Sequence, residues 1–163
     1  SWRNSDGLIV YYGATEGVSG NGGEYKTLGA NRQIEALIDL AQLTSTAQYL
    51  DQHFEVPKGA YIESVEVEVL VVAASSGSGT VSIGLKQSDQ STNISDSALV
   101  SALDLHATAV GTKFILTAGS TGAGSSIGTA IAANGLITAK EATAVYQTGR
   151  IAVRVNYNFL PLV

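Results

Sequence analysis

Valine and glutamate alternate in the middle of the segment VPKGAYIESVEVEVLVV, which runs from Val56 to Val72. Strict alternation of apolar and polar residues predicts a β-strand with one buried face and one wet face. The residues predicted to point inward are Val65, Val67, Val69 and Val71. Ile62 falls on the glutamate side of this pattern, so the register must change near Glu63. A β-bulge at that point would account for the change.

Other segments also alternate. TVSIGLK (Thr80 to Lys86) and TKFILT (Thr112 to Thr117) predict strands, and RIAVRVNYNF (Arg150 to Phe159) gives the clearest pattern of all. A strand so long and regular is expected to be central in its sheet or paired between subunits. The small-residue stretch Ser75 to Gly79 predicts a hairpin that joins the Val56–Val72 strand to the TVSIGLK strand.

Two segments are less regular. RQIEALIDLAQL (Arg32 to Leu43) fits either a helix or a strand, and the absence of a clear N-cap or a C-terminal glycine favours a strand. ISDSALVSALDLH (Ile94 to His106) predicts a short helix, because Ser95 can cap its start and Asp96 suits a first turn. The residues on the apolar face of that helix would be Leu99, Ala102, Leu103 and His106.

Strands separated by loops rather than by repeated crossover helices disfavour a parallel sheet. The predicted fold is therefore all-β, an antiparallel β-sandwich or jelly roll with one short helix. Residues 1–30 contain a glycine-rich stretch, ATEGVSGNGGEYK, and are predicted to form a flexible N-terminal arm and loop. Residues 31–163 are predicted to form a single β-sandwich domain.

The composition of the chain limits which classes of partner are expected. Charged residues make up 14% of the 163 residues, against roughly 25% in a typical soluble domain. A surface so poor in charge indicates that another subunit or a partner covers part of it. The nine Lys and Arg are scattered and the net charge is −5, so neither nucleic acid nor an anionic membrane surface is an expected partner. Without cysteine, disulfides and thiolate metal sites are excluded.

Candidate catalytic and metal-binding groups have simpler explanations. Glu66 and Glu68 lie roughly 6.5–7 Å apart on one strand face, a spacing that some glycosidases use, but the pattern favours a solvated or subunit-facing side. GSSIG would place Ser126 in a nucleophile elbow, yet both histidines precede it in the chain. Oxygen ligands for calcium are available on Asp89, Asn93 and Asp96, where turn chemistry is the simpler account. No catalytic residue and no cofactor are predicted.

Aromatic side chains gather near the N-terminus. Trp2, Tyr11, Tyr12 and Tyr25 are compatible with a sugar-stacking platform or with an arm anchored on a neighbouring molecule. The second alternative is favoured, because the glycine-rich surroundings would gain order from a partner. The residues predicted to contact that partner are Trp2, Arg3, Tyr11 and Tyr12.

Five segments together carry a resemblance to known proteins: NSDGLIVYYG, GNGGEY, VPKGAYIESVEVEVLVV, VSIGLKQSD and GRIAVRVNY. With them the chain resembles small structural proteins of tailed-bacteriophage virions, most of all capsid decoration (cement) proteins. The resemblance is one of pattern over most of the chain, with no invariant functional motif.

The resemblance implies a β-sandwich or jelly roll that assembles as a homotrimer on the capsid surface and clamps the major capsid protein. It implies no catalysis. The alternative is a carbohydrate-binding or receptor-binding module of a phage fibre, since jelly rolls also host lectins.

Overall fold

The structure is a computed structural model and describes residues 10–12, 24–26, 32–50 and 53–159. Within these residues the chain forms eleven β-strands and one 3₁₀ turn, Leu40–Gln42. The strands are β1 (Val10–Tyr12), β2 (Glu24–Lys26), β3 (Arg32–Asp39), β4 (Gln48–Tyr49), β5 (Glu55–Val56), β6 (Tyr61–Ser75), β7 (Thr80–Gln87), β8 (Asn93–Asp104), β9 (Lys113–Leu116), β10 (Gly135–Ala142) and β11 (Tyr146–Asn158). No helix in the described part of the chain is long and apolar enough to cross a membrane.

The strands form two antiparallel sheets. The larger sheet has the order β1-β2-β3-β11-β6-β9, and the smaller has the order β4-β10-β7-β8 with β5 also paired to β10. The predicted all-β sandwich is therefore confirmed. Segment RQIEALIDLAQL is strand β3 followed by the 3₁₀ turn, so the strand interpretation is confirmed as well.

Both sheets contribute side chains to one core. The largest fully buried side chains include Tyr146, Tyr157, Leu40, Ile62, Ile83, Leu85, Leu99, Leu105, Ile137 and Ile151. Burial of a large apolar side chain stabilises a fold by about 1.5–3 kcal/mol. The chain is therefore held mainly by the faces that the two sheets turn toward each other.

Strand β11 lies in the interior of the larger sheet, between β3 and β6, which confirms the prediction that it is central. Its pairing with β6 also confirms the predicted bulge. Asn156 pairs with Ser64 and the next residue, Tyr157, pairs with Ile62, so Glu63 is the extra residue. The bulge lets Ile62 and Val65 both enter the core.

A second bulge in β6 corrects the predicted register. Arg150 pairs with Val71 but Ile151 pairs with Val69, so Leu70 is an extra residue. Val71 was predicted to point inward with the other valines, and it is instead 48% exposed. The bulge interrupts the alternation, and burial resumes only at Ala73.

The predicted hairpin between β6 and β7 is wrong. β6 pairs with β11 and β9 in the larger sheet, whereas β7 pairs with β8 and β10 in the smaller one. The small residues from Ser75 to Gly79 therefore carry the chain from one sheet to the other. Because the buried faces of the two strands meet in one core, their alternation alone could not distinguish pairing from stacking.

The predicted helix at Ile94–His106 is also wrong, because this segment forms strand β8. Pairing with β7 occupies one edge of β8. Segment 122–126 covers the other edge, where the Gly124 N–H donates to the Leu99 carbonyl at 3.1 Å and the Ser126 N–H donates to the Ala98 carbonyl at 2.9 Å. The pairing of β8 with β7 contains register shifts, so the alternation of a regular strand is lost and the spacing of Leu99, Ala102 and Leu103 also fits a helix. Long-range pairing outweighs the local preference.

Two glycines allow the backbone around β8 to pack closely. A Cβ on Gly84 would lie 2.4 Å from the carbonyl oxygen of Ser95. Gly84 lies at a register shift, between the pair Ile83–Val100 and the pair Leu85–Ser95, so extra residues of β8 stand opposite it. A Cβ on Gly124 would lie 2.2 Å from the carbonyl oxygen of Ala98. Neither contact is possible for a larger residue without a backbone shift.

Tyr146 ties one end of the sandwich together. Its hydroxyl donates to the Gly79 carbonyl and accepts from the Leu105 N–H at 3.2 Å. Its backbone N–H donates to the Glu141 carboxylate at 3.0 Å. Burial raises the pKa of Tyr146, the Leu105 N–H opposes that rise, and the Asp104 and Glu141 carboxylates add to it.

Candidate partner-binding surface

The outer face of the larger sheet carries a ladder of polar side chains. Gln33 on β3 donates to Asn156 on β11 at 2.8 Å, and Asn156 donates to Ser64 on β6 at 3.2 Å. The next row on the same face lies two positions further along each strand and contains Glu35, Arg154 and Glu66. Side chains that face away from the core are therefore connected across three strands.

Arg154 is the centre of this face. Its Nε lies 2.7 Å from Oε2 of Glu35, its Nη1 lies 2.8 Å from Oε2 of Glu66, and its Nη2 lies 2.9 Å from Oε1 of Glu68. All four side chains are only 20–27% exposed. A guanidinium presents several N–H donors in a fixed plane, so it can serve three carboxylates at once.

The carboxylates around Arg154 favour the charged form of its guanidinium. Burial alone would lower the pKa of the Arg154 guanidinium, but its hydrogen bonds to Glu35, Glu66 and Glu68 raise that pKa above the ordinary value. Lys113 on β9 adds a second cation, 4.0 Å from Glu66. Three carboxylates and two cations leave this cluster with a small negative charge.

Glu66 and Glu68, whose spacing some glycosidases use for catalysis, both take part in these ion pairs. Glu66 and Glu68 point away from the core, as the alternation predicted, and both accept hydrogen bonds from Arg154. Each carboxylate thus has a fixed cationic partner from the neighbouring strand. This is the geometry of a structural cross-strand network.

Large apolar side chains are exposed at one end of the same sheet. We call Val71, Val72, Val110 and Val145 the valine end; their exposed fractions are 48%, 43%, 61% and 61%. The loop that carries Val110 is attached to β6, because the Gly111 N–H donates to the Val69 carbonyl at 2.8 Å and the Ala107 N–H donates to the Ala73 carbonyl at 2.9 Å. Val145 directly precedes Tyr146, which pairs with Ser75 at the end of β6.

A further apolar side chain, Ile115, is 66% exposed on the edge strand β9. Its backbone pairs with Glu66, so it lies beside the Arg154 cluster. Many contact surfaces between proteins combine exposed apolar residues with charged residues at their rim, and this part of the sheet has both.

The residues predicted to contact a partner are only partly within the described chain. Trp2 and Arg3 lie outside the described residues. Tyr11 and Tyr12 belong to β1, where they pair with Tyr25 and Glu24 of β2. They are therefore on the strand at one edge of the larger sheet, opposite the edge formed by β9.

The other candidate sites have structural roles in this fold. Ser126 lies in a turn rather than between a strand and a helix, so the elbow geometry is absent from its surroundings. Asp89 accepts from the Thr92 hydroxyl at 2.6 Å and from the N–H groups of Thr92 and Ser91, which lowers the pKa of Asp89 to about 2. Asp96 instead pairs with Lys140 at 3.3 Å.

These separate contacts explain the calcium-like spacing as turn chemistry. Among the described residues, no group of three or more His, Cys, Asp or Glu could hold a metal ion.

A cleft of about 460 Å³ opens between the two sheets and was not expected from the sequence. Residues of β3, the 3₁₀ turn and β4 line most of it. The lining residues are Leu37, Ile38, Asp39, Gln42, Leu43, Gln48, Tyr49, Leu50, Phe54 and Ala139. The sequence marks β3 as a strand, but nothing in it indicates that β4 is its neighbour across the core.

No protein-family model matches the sequence, and no curated protein matches it either. Solved structures do match. A chain from the capsid of Ralstonia phage GP4 is 16% identical, with a TM-score of 0.50 over 80% of this chain and 86% of that chain. A chain from the acid-stable capsid of Helicobacter pylori bacteriophage KHP30 is 15% identical, with a TM-score of 0.48 over 83% and 92%.

A chain from the capsid of cyanophage Pam1 is also 15% identical, with a TM-score of 0.47 over 85% of this chain and 86% of that chain. The likeness to the Ralstonia phage chain is a likeness of fold over most of both chains.

Proposed function

We propose that this protein is a non-catalytic structural component of a bacteriophage virion. More specifically, it acts as a capsid decoration, or cement, protein that stabilises the phage head through symmetric contacts with the major capsid protein. The observation that carries the proposal is the fold shared with a chain from the capsid of Ralstonia phage GP4 over 80% of this chain.

The exposed apolar residues support a role in contacts. The side chains of three apolar residues are more than 60% exposed: Val110, Val145 and Ile115. Charged residues make up only 14% of the chain, so few charges surround them. Partner surfaces that bury such residues gain free energy from the removal of apolar area from water. Repetition of a modest contact over a symmetric shell multiplies its effect without a large single interface.

The Arg154 cluster supports a structural role for the glutamates. It fixes β3, β11 and β6 relative to one another on the face that the core does not stabilise. A rigid face loses little conformational entropy when it docks, which favours association.

Binding to heads tests the proposal. Heads of the phage that encodes this protein are prepared without it and mixed with the purified protein. The mixture is pelleted, and the heads are heated in the presence of a DNA-binding dye. We expect the protein to sediment with the heads in a saturable amount and to raise the temperature at which DNA is released. Heads that release DNA at the same temperature, with all of the protein left in solution, would refute a cement role.

The N-terminal arm of residues 1–30 is proposed to supply contacts through Trp2, Arg3, Tyr11 and Tyr12. Removal of residues 1–9 takes away Trp2 and Arg3 and leaves strand β1 in place. We expect this truncated protein to keep its unfolding midpoint and to lose head binding. Full binding by the truncated protein would exclude Trp2 and Arg3 as the contacts.

The proposed assembly is a homotrimer. Light scattering after gel filtration measures the solution mass directly, and a trimer would have about three times the 16.8 kDa of one chain. A mass of one chain at all concentrations tested would contradict a preformed trimer.

A further inference from the structure

Strand β9 forms one edge of the larger sheet. It pairs with residues Val65–Glu68 of β6, and within the described chain no strand lies on its other side. The neighbouring strand β6 and the chain before and after β9 all belong to the described range 53–159. Ile115 is 66% exposed and the Lys113 side chain is 51% exposed, so the outer face of β9 is open to solvent.

The pairing with β6 determines which backbone groups of β9 face its open side. The Val69 N–H donates to the Thr112 carbonyl at 3.0 Å, so this carbonyl points toward β6. Alternate residues of an antiparallel strand direct their groups to the same side, so Phe114 faces β6 as well. The N–H and C=O groups of Lys113 and Ile115 therefore point to the open side. In the part of the chain that the structure describes, no hydrogen bond links these groups to another segment.

The open edge ends at Thr117, whose backbone groups are already used. The Thr117 N–H donates to the Ser120 hydroxyl at 3.0 Å, and the Thr117 carbonyl accepts from the Ser120 N–H at 3.0 Å. Lys113 and Ile115 thus each present one free donor and one free acceptor. A second copy of β9 presents the same groups, and one antiparallel register satisfies all of them. It places Lys113 of each copy opposite Ile115 of the other.

The side chains favour the same register. On the outer face, Lys113 would lie beside the apolar Ile115 of the other copy. A register with Lys113 opposite itself would bring two ammonium groups together, and one with Ile115 opposite itself would direct Lys113 at the occupied groups of Thr117. On the inner face, the half-buried Phe114 would meet its own copy across the two-fold axis as an aromatic pair.

Charge favours a second copy as the occupant of this edge. Lys113 is the only charged residue between positions 107 and 139, so two copies can approach along this segment although the net charge of each is −5. Lysine on an edge strand commonly hinders pairing. Here Lys113 lies 4.0 Å from Glu66, in a cluster whose three carboxylates outnumber its two cations. Lys113 of the second copy would approach this small negative charge, which favours association.

We propose that two copies of this protein pair antiparallel through β9 about a two-fold axis and so join their larger sheets into one continuous sheet. A contact of this kind uses the same surface on both copies and closes on itself. The proposal goes beyond the proposed virion function and does not depend on it, because it concerns the isolated protein.

Disulfide trapping tests the register, since the chain contains no cysteine. Lys113→Cys and Ile115→Cys are prepared separately, one of them with a mass tag, and are mixed in equal amounts and oxidised with copper phenanthroline. Opposite residues have Cα atoms about 5.5 Å apart, within the range of a disulfide, whereas diagonal neighbours lie about 7–8 Å apart. We expect the mixed dimer to form on the order of tenfold faster than either homodimer.

Val145→Cys is the matched control for trapping. Val145 is 61% exposed, close to the value of Ile115, and it precedes Tyr146, which pairs with Ser75 rather than with the part of β6 beside β9. Mixed with Lys113→Cys, it should give no excess of the mixed dimer over the homodimers.

A charge variant tests the affinity. Ile115→Lys places a lysine opposite Lys113 at both ends of the pairing. Sedimentation velocity over a concentration series should show a doubling of mass for the wild type, and this step should be weakened about tenfold in Ile115→Lys. Val145→Lys adds the same charge at a similarly exposed position and should leave the step unchanged.

Three results would overturn the proposal. The first is a mixed dimer of Lys113→Cys and Ile115→Cys that forms no faster than the homodimers or the Val145→Cys control. The second is the absence of any concentration-dependent doubling of mass in the wild type. The third is a doubling that is equally strong in the wild type and in Ile115→Lys.

Discussion

Arg154 holds three carboxylates on a half-buried face. Each of Glu35, Glu66 and Glu68 accepts from a different guanidinium nitrogen, so the carboxylates do not compete for one donor. Without the guanidinium, three like charges would face one another with little water to screen them.

Replacement of Arg154 by methionine should therefore destabilise the protein strongly. The loss in free energy of unfolding should lie between the ~1 kcal/mol of an exposed ion pair and the roughly 3–5 kcal/mol of a buried one. Urea unfolding measures it. Arg150→Met is the matched control, since Arg150 lies on the same strand and is exposed. Equal losses in both variants would show that the cluster adds no stability.

The buried hydroxyl of Tyr146 makes the free energy of unfolding depend on pH in the alkaline range. Its folded-state pKa is raised, so its contribution is fully present below the unfolded value of about 10 and is lost as pH rises through the folded-state value. We expect the unfolding free energy of the wild type to fall above about pH 10. Tyr146→Phe should show a smaller fall there.

At neutral pH the same variant should be about 1–3 kcal/mol less stable, because the buried Leu105 N–H loses its acceptor. Tyr61→Phe on β6 is the control. A steep alkaline fall that persists unchanged in Tyr146→Phe would contradict the assignment.

At the residue scale, the sequence predicted directions but not partners. The alternation correctly predicts that Glu66 and Glu68 point outward. Which of these positions meet depends on the register of β11 against β3 and β6, and that register depends on bulges at Glu63 and Leu70. Only the first of the two bulges left a trace in the pattern, at Ile62.

At the scale of strands and helices, local alternation predicted β6, β7, β9 and β11 well. It could not predict how they combine. β6 pairs with β11, far along the chain, although β7 is next in sequence. The spacing of Leu99, Ala102, Leu103 and His106 predicts a helix, whereas the segment is β8, whose register shifts against β7 break the alternation of a strand. Its other edge is covered by segment 122–126, which no local pattern connects to β8.

Close packing of β8 on β7 can be tested at Gly84. Gly84→Ala places a Cβ 2.4 Å from the Ser95 carbonyl oxygen, so it should cost about 1–3 kcal/mol or more in free energy of unfolding. Gly77→Ala is the control, since a Cβ there meets only the Ala144 Cβ at 3.9 Å. Thermal and urea unfolding of both variants provide the comparison. A Gly84→Ala protein as stable as the control would contradict the close approach of the β8 backbone to Gly84.

At the scale of the whole molecule, the two sheets leave distinct surfaces for distinct contacts. The larger sheet presents the Arg154 cluster on its outer face and the valine end at one side. The cleft opens beside the end of β3, on the same side of the molecule as the valine end, since Arg150 pairs with Asp39 of the cleft and with Val71. These exposed residues are the surfaces that the proposed contacts with neighbouring molecules would use.

The proposed cement role requires this protein to occupy symmetric positions on a phage head. Electron cryomicroscopy of heads prepared with and without the protein is the measurement that tests this requirement. We expect added density at symmetry-related sites on the outer surface, into which the two-sheet fold of residues 32–159 can be placed. Identical maps from the two preparations, or density confined to a tail or fibre, would contradict it.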